Sequence, residues 1–321
     1  MYEQANKKLW QGRCDTEDKE DGKRWHEKVH FLNPCATKDK AGLALFGFAS
    51  DEGVRRNKGR IGSASSPEKL KKALANFAYH LENITLYDAG SVTGDRDLEK
   101  SQEQLALYID SLLEKGHFPL ILGGGHEIAF GSFMGLHDYL KGEEDIAIIN
   151  FDAHFDLRKS DEASSGTPFL QIAKLCEKEE KTFSYMCLGV SKSSNTKALF
   201  KTAHNLGVSY IEDTKMRQNK LKKIKKRIDI FLENKKNLYI TIDLDVFKNL
   251  PAVSAPASRG ISFELVSQLL EYLFKNYNSK IKLLDLAEFN PDYDEEGMNA
   301  KLVARLVFDI VSFIDKYKKI G

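Results

Sequence analysis

The sequence predicts an α/β protein built on a mainly parallel sheet of about eight strands, covered by helices on both faces. Three observations carry this. Short apolar runs recur along the chain without polar alternation, as strands buried on both faces require. Between most of them, apolar residues repeat at roughly the three- to four-residue spacing of helices. Three of the runs lead into acidic or histidine residues, at the C-terminal strand ends where open α/β sheets keep their sites.

The elements follow in order. Residues 1–40 are a polar, irregular arm that Trp10 and Trp25 anchor to the body. Leu43–Phe48 reads as the first strand. Ser65-Ser66-Pro67-Glu68 marks a helix start with proline in the first turn, and Leu70, Leu74, Phe77 and Leu81 continue it. Further strands are expected near Ile84–Tyr87, 118–122, 146–151, Phe183–Leu188, Val208–Ile211, 238–242 and Ile281–Leu286. Helices are expected over Leu98–Lys115, Ser262–Asn276 and Met298–Tyr317. In Lys215–Asn237 the residues Leu221, Ile224, Ile228 and Phe231 mark an amphipathic helix with a basic outer face. There is no internal repeat. Residues 1–321 are read as one domain, because dividing the chain would separate His126 from Asp245.

Composition excludes several function classes. With 48 basic and 47 acidic residues the net charge is +1, so no global field favours nucleic acid or membrane. The lysine-rich segment lacks the interleaved aromatics of a nucleic-acid site. The N-terminus has no apolar signal region, and no run nears the ~18–20 apolar residues that span a bilayer. Cys14, Cys35, Cys176 and Cys187 form no CxxC or zinc-like spacing; reduced thiols in the cytoplasm are expected, with Cys187 in the core. Gly123-Gly124-Gly125 does not complete GxGxxG, since Ile128 takes the last glycine's place, and no P-loop lysine follows. A homo-oligomer is compatible with the sequence, which does not set the state.

The chain is organised around Asn150-Phe151-Asp152-Ala153-His154-Phe155-Asp156-Leu157-Arg158. Asp152, His154 and Asp156 fall on one face of an extended segment, because side chains alternate with period two. Phe118–Leu122 runs into Gly123-Gly124-Gly125-His126, and Leu238–Ile242 into Asp243-Leu244-Asp245. Each stretch alone is a weak signal. Together they offer four aspartates and two histidines, which suits two divalent ions better than one. An oxygen-rich set without thiolate favours Mn²⁺ over structural Zn²⁺. The basic loop Arg55-Arg56-Asn57-Lys58-Gly59-Arg60 either binds an anion or is a solvated loop or subunit contact.

The three metal-competent stretches resemble the signature motifs of the ureohydrolases, the arginase and agmatinase superfamily. The resemblance runs from Leu9-Trp10-Gln11-Gly12-Arg13 through residues 47–60 to Leu286-Ala287-Glu288-Phe289-Asn290-Pro291. Those flanks, the Phe-Asp-Leu-Arg ending of the central motif and Ser165-Gly166-Thr167-Pro168-Phe169 are similar to the formimidoylglutamases.

The resemblance implies a three-layer α/β/α arginase-like fold. It also implies two Mn²⁺ per chain, with Asp152 and Asp243 bridging them, His126 and Asp156 completing one, and His154 and Asp245 the other. The ions would lower the pKa of a shared water, and Glu288 would orient the cationic head of the substrate. The implied reaction is hydrolysis of N-formimidoyl-L-glutamate in histidine breakdown; the alternative is urea release from agmatine, guanidinobutyrate or arginine. Arg158 is expected to take a substrate carboxylate as a planar fork, where arginases have a neutral amide. An ion pair to Asp161 or Glu162 is the alternative for it. Ser164-Ser165-Gly166-Thr167-Pro168 lacks the His-Gly pair of arginases, which leaves the acid for the departing amine open, with Asp156 read as relaying the water proton. Val246–Pro251 departs from the usual sequence after Asp245, which bears on loop shape.

Overall fold

A computed structural model describes residues 1–36, 39–94 and 96–320. The strands are β1 (Tyr2–Glu3), β2 (His30–Phe31), β3 (Leu43–Ala49), β4 (Leu86–Thr93), β5 (Phe118–Leu122), β6 (Ile146–Phe151), β7 (Ser184–Val190), β8 (Ser209–Glu212), β9 (Asn237–Asp243) and β10 (Ile281–Ala287). The helices are α1 (Trp25–Lys28), α2 (Glu52–Arg56), α3 (Ser66–Ala75), α4 (Leu98–Glu114), α5 (Ile128–Tyr139), α6 (Pro168–Lys178), α7 (Lys197–Asn205), α8 (Leu221–Leu232), α9 (Phe263–Tyr277) and α10 (Met298–Tyr317). Among the described residues, no helix is long and apolar enough to cross a membrane.

All ten strands join one sheet in the order β1-β4-β3-β5-β10-β9-β6-β7-β8, with β2 also paired to β4. Among the described residues, only β1 runs antiparallel to its neighbour. The eight longer strands correspond to the eight expected. The remaining two are two-residue strands in the N-terminal arm, too short to leave a hydrophobic pattern.

The sheet is covered on both faces. Side chains of α3, α8, α9 and α10 pack with Leu43, Leu45, Ala147, Ile149 and Phe151 on one side. Those of α4, α5, α6 and α7 pack with Ala44, Phe46, Ile146 and Ile148 on the other. Both alternating sets of each central strand are therefore buried, which is why the runs read as continuously apolar.

Two local expectations change. Helix α3 begins at Ser66 as expected but ends at Ala75, so Phe77 and Leu81 lie beyond it. The backbone after Asn76 instead pairs with the arm: Trp25 N–H donates to Phe77 O (2.9 Å) and Tyr79 N–H to Lys23 O (2.9 Å). Those bonds compete with another helical turn. Strand β4 starts two residues after the expected Ile84 and runs on to Thr93, through Gly90 and polar residues that weaken its sequence signal. The anchors behave as expected: Trp25 is fully buried, and Trp10 Nε1–H donates to Asp88 Oδ2 (2.8 Å).

Candidate metal centre

Four strands adjacent in the sheet, β5, β10, β9 and β6, deliver the site residues at their C-terminal ends. His126 follows β5, Glu288 follows β10, Asp243 ends β9 with Asp245 just beyond, and Asp152, His154 and Asp156 follow β6.

The three glycines after β5 serve close packing. Gly123 N–H donates to Leu286 O (2.7 Å), Gly125 N–H to Ser50 O (3.0 Å), and Gly124 O accepts from Glu288 N–H (2.7 Å). A Cβ on Gly124 would run into the Ser50 carbonyl, so only glycine lets the ends of β3, β5 and β10 approach this closely. His126 is thereby held at the mouth of the sheet.

The stretch after β6 is not a strand. The expected alternation survives, since Ala153, Phe155 and Leu157 are buried in the core, but tertiary contacts enforce it rather than a pleat. Asn195 is the clip: its Oδ1 accepts Phe155 N–H (3.1 Å), and its Nδ2 donates to Ala153 O (2.9 Å) and Ser191 O (2.8 Å). Nothing in the polar run Ser193-Ser194-Asn195-Thr196 marks Asn195 for this work, because its partners on the central loop, Ala153 and Phe155, are 42 and 40 positions away. Asp156 then takes a left-handed backbone (φ 48°), as does Glu288 (φ 72°). Two non-glycine residues in that region at one site are strain held by their surroundings.

All six expected ligands come together, in two groups. In the first, His126 Nδ1 lies 2.8 Å from Asp156 Oδ2 and 3.2 Å from the Oδ2 atoms of both Asp152 and Asp243. In the second, His154 Nδ1 lies 2.8 Å from Asp245 Oδ2 and 3.6 Å from Asp152 Oδ1. Asp152 thus belongs to both groups, with one oxygen in each. Asp243 enters the first through Oδ2, while its Oδ1 accepts Asp245 N–H (2.8 Å) and caps the 3₁₀ turn Leu244–Val246. That turn swings Asp245 toward His154. On the far side of the His126 ring, Nε2 meets Thr241 Oγ1 (3.1 Å), an arrangement that fixes the ring and presents Nδ1 to the carboxylates.

The charge balance is uneven. Burial alone would lower the pKa of His126, yet Asp152, Asp156 and Asp243 around it hold it well above the imidazole range. His154 behaves alike, against burial, mainly through Asp245 and Asp152. Burial, with the charge of Asp152 adding, lifts Asp156 to about 6. Asp243 is pushed well above the carboxylate range by burial and by its neighbours Asp245 and Asp152. Only Asp152 is held low, where bonds from the two imidazoles outweigh its burial. Protons are drawn in where cations are lacking. Four carboxylates and two imidazoles within two small groups match two divalent ions in both charge and donor type.

Beside the ligands opens a cavity of about 260 Å³, lined by His154, Asp156, Arg158, Asp245 and Glu288 among others. Glu288 Oε1 accepts His126 N–H (2.6 Å), while its buried Oε2 has no partner among the described residues. Burial raises this carboxyl to about 7. Arg158 is exposed, and among the described residues it pairs with neither Asp161 nor Glu162. Its own N–H donates to Gly166 O (2.9 Å), which fixes the backbone while leaving the guanidinium uncommitted.

The basic loop is mostly spoken for. Arg55 pairs with Glu52 (2.6 Å), and Arg56 with Glu52 (3.0 Å) and Glu99 (2.6 Å). Arg60 donates to Pro251 O (2.7 Å) and Val253 O, and its guanidinium lies 3.9 Å from the centre of the Tyr293 ring. These three arginines are therefore fastenings of the loop, a role the sequence left open.

Comparison with known proteins agrees with the geometry. Residues 41–312 match the arginase family. A formimidoylglutamase of Aeromonas salmonicida is 47% identical over 306 residues, covering 94% of this chain and 96% of the relative. One of Chromobacterium violaceum is 45% identical over 306 residues, covering 94% and 97%. Among solved structures, Trypanosoma cruzi formiminoglutamase with Mn²⁺ superposes with a TM-score of 0.75 at 22% identity, over 87% of this chain and 96% of that one. Bacillus subtilis arginase does so with a TM-score of 0.70 at 21% identity, over 84% and 98%. At those identities the superpositions establish the shared fold. By sequence over nearly its whole length and by architecture, this chain belongs to the arginase family.

Proposed function

We propose that this protein is a dimanganese formimidoylglutamase, hydrolysing N-formimidoyl-L-glutamate to L-glutamate and formamide. The observation that carries the reading is the pairing, in one cavity, of two metal-competent groups sharing Asp152 with a guanidinium, Arg158, that has no anion of its own. The curated relatives are named for this activity and are matched over nearly their full length.

His126, Asp152, Asp156 and Asp243 would hold one ion, and Asp152, His154 and Asp245 the other. When bound, two such ions supply Lewis acidity and a water of lowered pKa near neutral pH. The residues of the chain do the rest. Glu288, anchored through Oε1, offers its free Oε2 to the cationic formimidoyl head and orients its carbon. Arg158 takes a substrate carboxylate through its planar fork. The water oxygen ends on the formimidoyl carbon, and the bond from that carbon to the glutamate nitrogen breaks. Asp156, which lines the cavity, accepts the water proton and passes it to the departing amine.

The same reading places the enzyme in histidine degradation in the cytoplasm, acting on a small molecule without nucleic acid or membrane. It treats residues 1–321 as one functional domain, since the proposed ligands come from strands across one sheet. A homo-oligomer is compatible with it. Turnover by the manganese-reconstituted protein over a small substrate panel tests the reading. Formamide and glutamate from formimidoylglutamate are expected; urea from agmatine, guanidinobutyrate or arginine, without formamide, would overturn it.

A further inference from the structure

Formimidoylglutamate carries two carboxylates, and Arg158 answers one. We infer that Lys58 receives the other, so that the loop after α2 selects for dicarboxylates; this rests on the function proposed above.

Three lysine or arginine side chains line the cavity: Lys58, Arg60 and Arg158. Arg60 is committed to the carbonyls of Pro251 and Val253 and to the face of Tyr293. Arg55 and Arg56 are tied to Glu52 and Glu99, and neither lines the cavity. Lys58 and Arg158 have neither an ion pair nor a side-chain hydrogen bond among the described residues. The cavity therefore has two free positive groups for a ligand with two negative ones.

The backbone fixes where Lys58 sits. Helix α2 ends at Arg56, and Lys58 follows in the left-handed region (φ 60°), with its N–H donating to Arg55 O (3.1 Å). Glycine fits that position after a helix most easily. A lysine there is held against local preference by a loop that is otherwise fully fastened: Gly59 N–H bonds Val54 O (2.9 Å), and Asn57 Nδ2 bonds Ser165 Oγ (3.1 Å). The Asn57 bond also ties this loop to the segment that carries Gly166, the backbone partner of Arg158. Both free cations are thus set on one connected wall. An ammonium on a flexible stem complements the rigid fork of Arg158, because it can follow a carboxylate whose position varies with substrate conformation.

The test uses the manganese-loaded full chain, with Lys58→Met and Lys58→Arg. Three substrates are compared: formimidoylglutamate, formimidoylglutamine with its γ-carboxylate replaced by an amide, and 4-formimidoylaminobutyrate, which lacks the α-carboxylate. Lys58→Met is expected to lose about ten- to a hundredfold in kcat/KM on formimidoylglutamate, mainly through KM. On whichever analogue lacks the carboxylate held by Lys58 the loss should shrink to within about threefold, because that interaction is already absent. Lys58→Arg should recover part of the loss. Inhibition by glutarate, a dicarboxylate with no reacting head, should weaken in Lys58→Met far more than inhibition by butyrate. Equal losses on all three substrates, or no loss on any, would overturn the assignment of Lys58. A wild-type enzyme that hydrolyses guanidino compounds but not formimidoylglutamate would overturn the proposed reaction, and this inference with it.

Discussion

Two buried polar clusters in this protein handle charge in opposite ways. Beneath the N-terminal arm, Lys71 Nζ donates to Asp88 Oδ1 (2.6 Å) and Gly90 O (2.9 Å). The other oxygen of Asp88 takes Trp10 Nε1–H (2.8 Å), and Gly90 N–H adds a bond to Oδ1 (3.0 Å). One anion meets one cation, and the remaining lone pairs meet N–H donors. At the metal centre, four carboxylates face two imidazoles, and burial pushes most of the acids upward. The first cluster closes its charge within the chain and clamps the arm to β4. The second leaves an excess of carboxylate that draws in protons and suits imported cations. Burial of charge by itself does not mark a functional site; burial of unmatched charge does.

Breaking the second cluster should have the largest effect. Asp152→Asn and Asp243→Asn, each removing a carboxylate charge from the ligand set, are expected to abolish turnover and to leave clearly fewer than two metals per chain. Circular dichroism should still report a folded protein. Full metal content with normal turnover in either variant would contradict the dinuclear assignment. Because Asp243 is already pushed toward its protonated form, Asp243→Asn should not destabilise the metal-free protein.

The first cluster should respond in the reverse way. Asp88→Asn leaves the buried ammonium of Lys71 without its counter-charge and should cost ~3–5 kcal/mol of stability in denaturant unfolding. The folded fraction should still bind two metals. Adding Lys71→Met should restore part of the loss, since a neutral pair no longer strands a charge. A mild effect of Asp88→Asn would mean that the cluster is wetter than its burial implies.

Arg158 carries the comparison from the acid-rich cluster to the cavity wall, as a guanidinium without an anionic partner among the described residues. Arg158→Lys keeps the charge but loses the fork, and should cost ~1.5–3 kcal/mol, or about ten- to over a hundredfold in kcat/KM on formimidoylglutamate. The loss should be much smaller on an analogue lacking the carboxylate it holds. Equal losses would make Arg158 a prop for its loop.

The smallest effect concerns pH. In the chelated protein, burial raises Asp156 to about 6 and Glu288 to about 7. An acid with a raised folded-state pKa binds its proton more tightly in the folded state. Its contribution to stability is therefore complete below its ordinary pKa and is lost as pH rises through about 6 to 7. Chelated protein should melt lower at pH 8 than at pH 5. With Mn²⁺ present the trend should reverse, because protons compete with the metal for the same oxygens. An identical slope with and without metal would mean that these carboxyls are not in contact with it.

Much of the fold was legible because it is local. Strand β5 and strand β6 fall on their expected residues, and helices α4, α9 and α10 do so within a residue or two. Apolar periodicity and caps such as Ser262 and Asp97 are properties of neighbouring residues. The six candidate ligands were also easy to place, since each lies at or just after the end of a recognisable strand. Helix α3 was overextended because what ends it is pairing with Trp25 and Lys23, some fifty residues earlier in the chain.

By itself the sequence determined the α/β class, the strand-end placement of His126, Asp152, His154, Asp156, Asp243 and Asp245, and their fitness for two divalent ions. Only the tertiary structure decided that β10, the last strand in the chain, lies between β5 and β9, bringing Glu288 beside His126. It alone turned Asp156 and Glu288 into left-handed backbone, and gave Asn195 its clip on the central loop. It alone tied up Arg55, Arg56 and Arg60 while leaving Lys58 and Arg158 free on the cavity wall. The physical reason is the range of the interactions. Hydrophobic period and ligand spacing act between near neighbours, whereas the insertion of β10 between β5 and β9, the Arg56–Glu99 pair and the Arg60–Pro251 bond join residues from 43 to 191 positions apart, whose meeting no local pattern records.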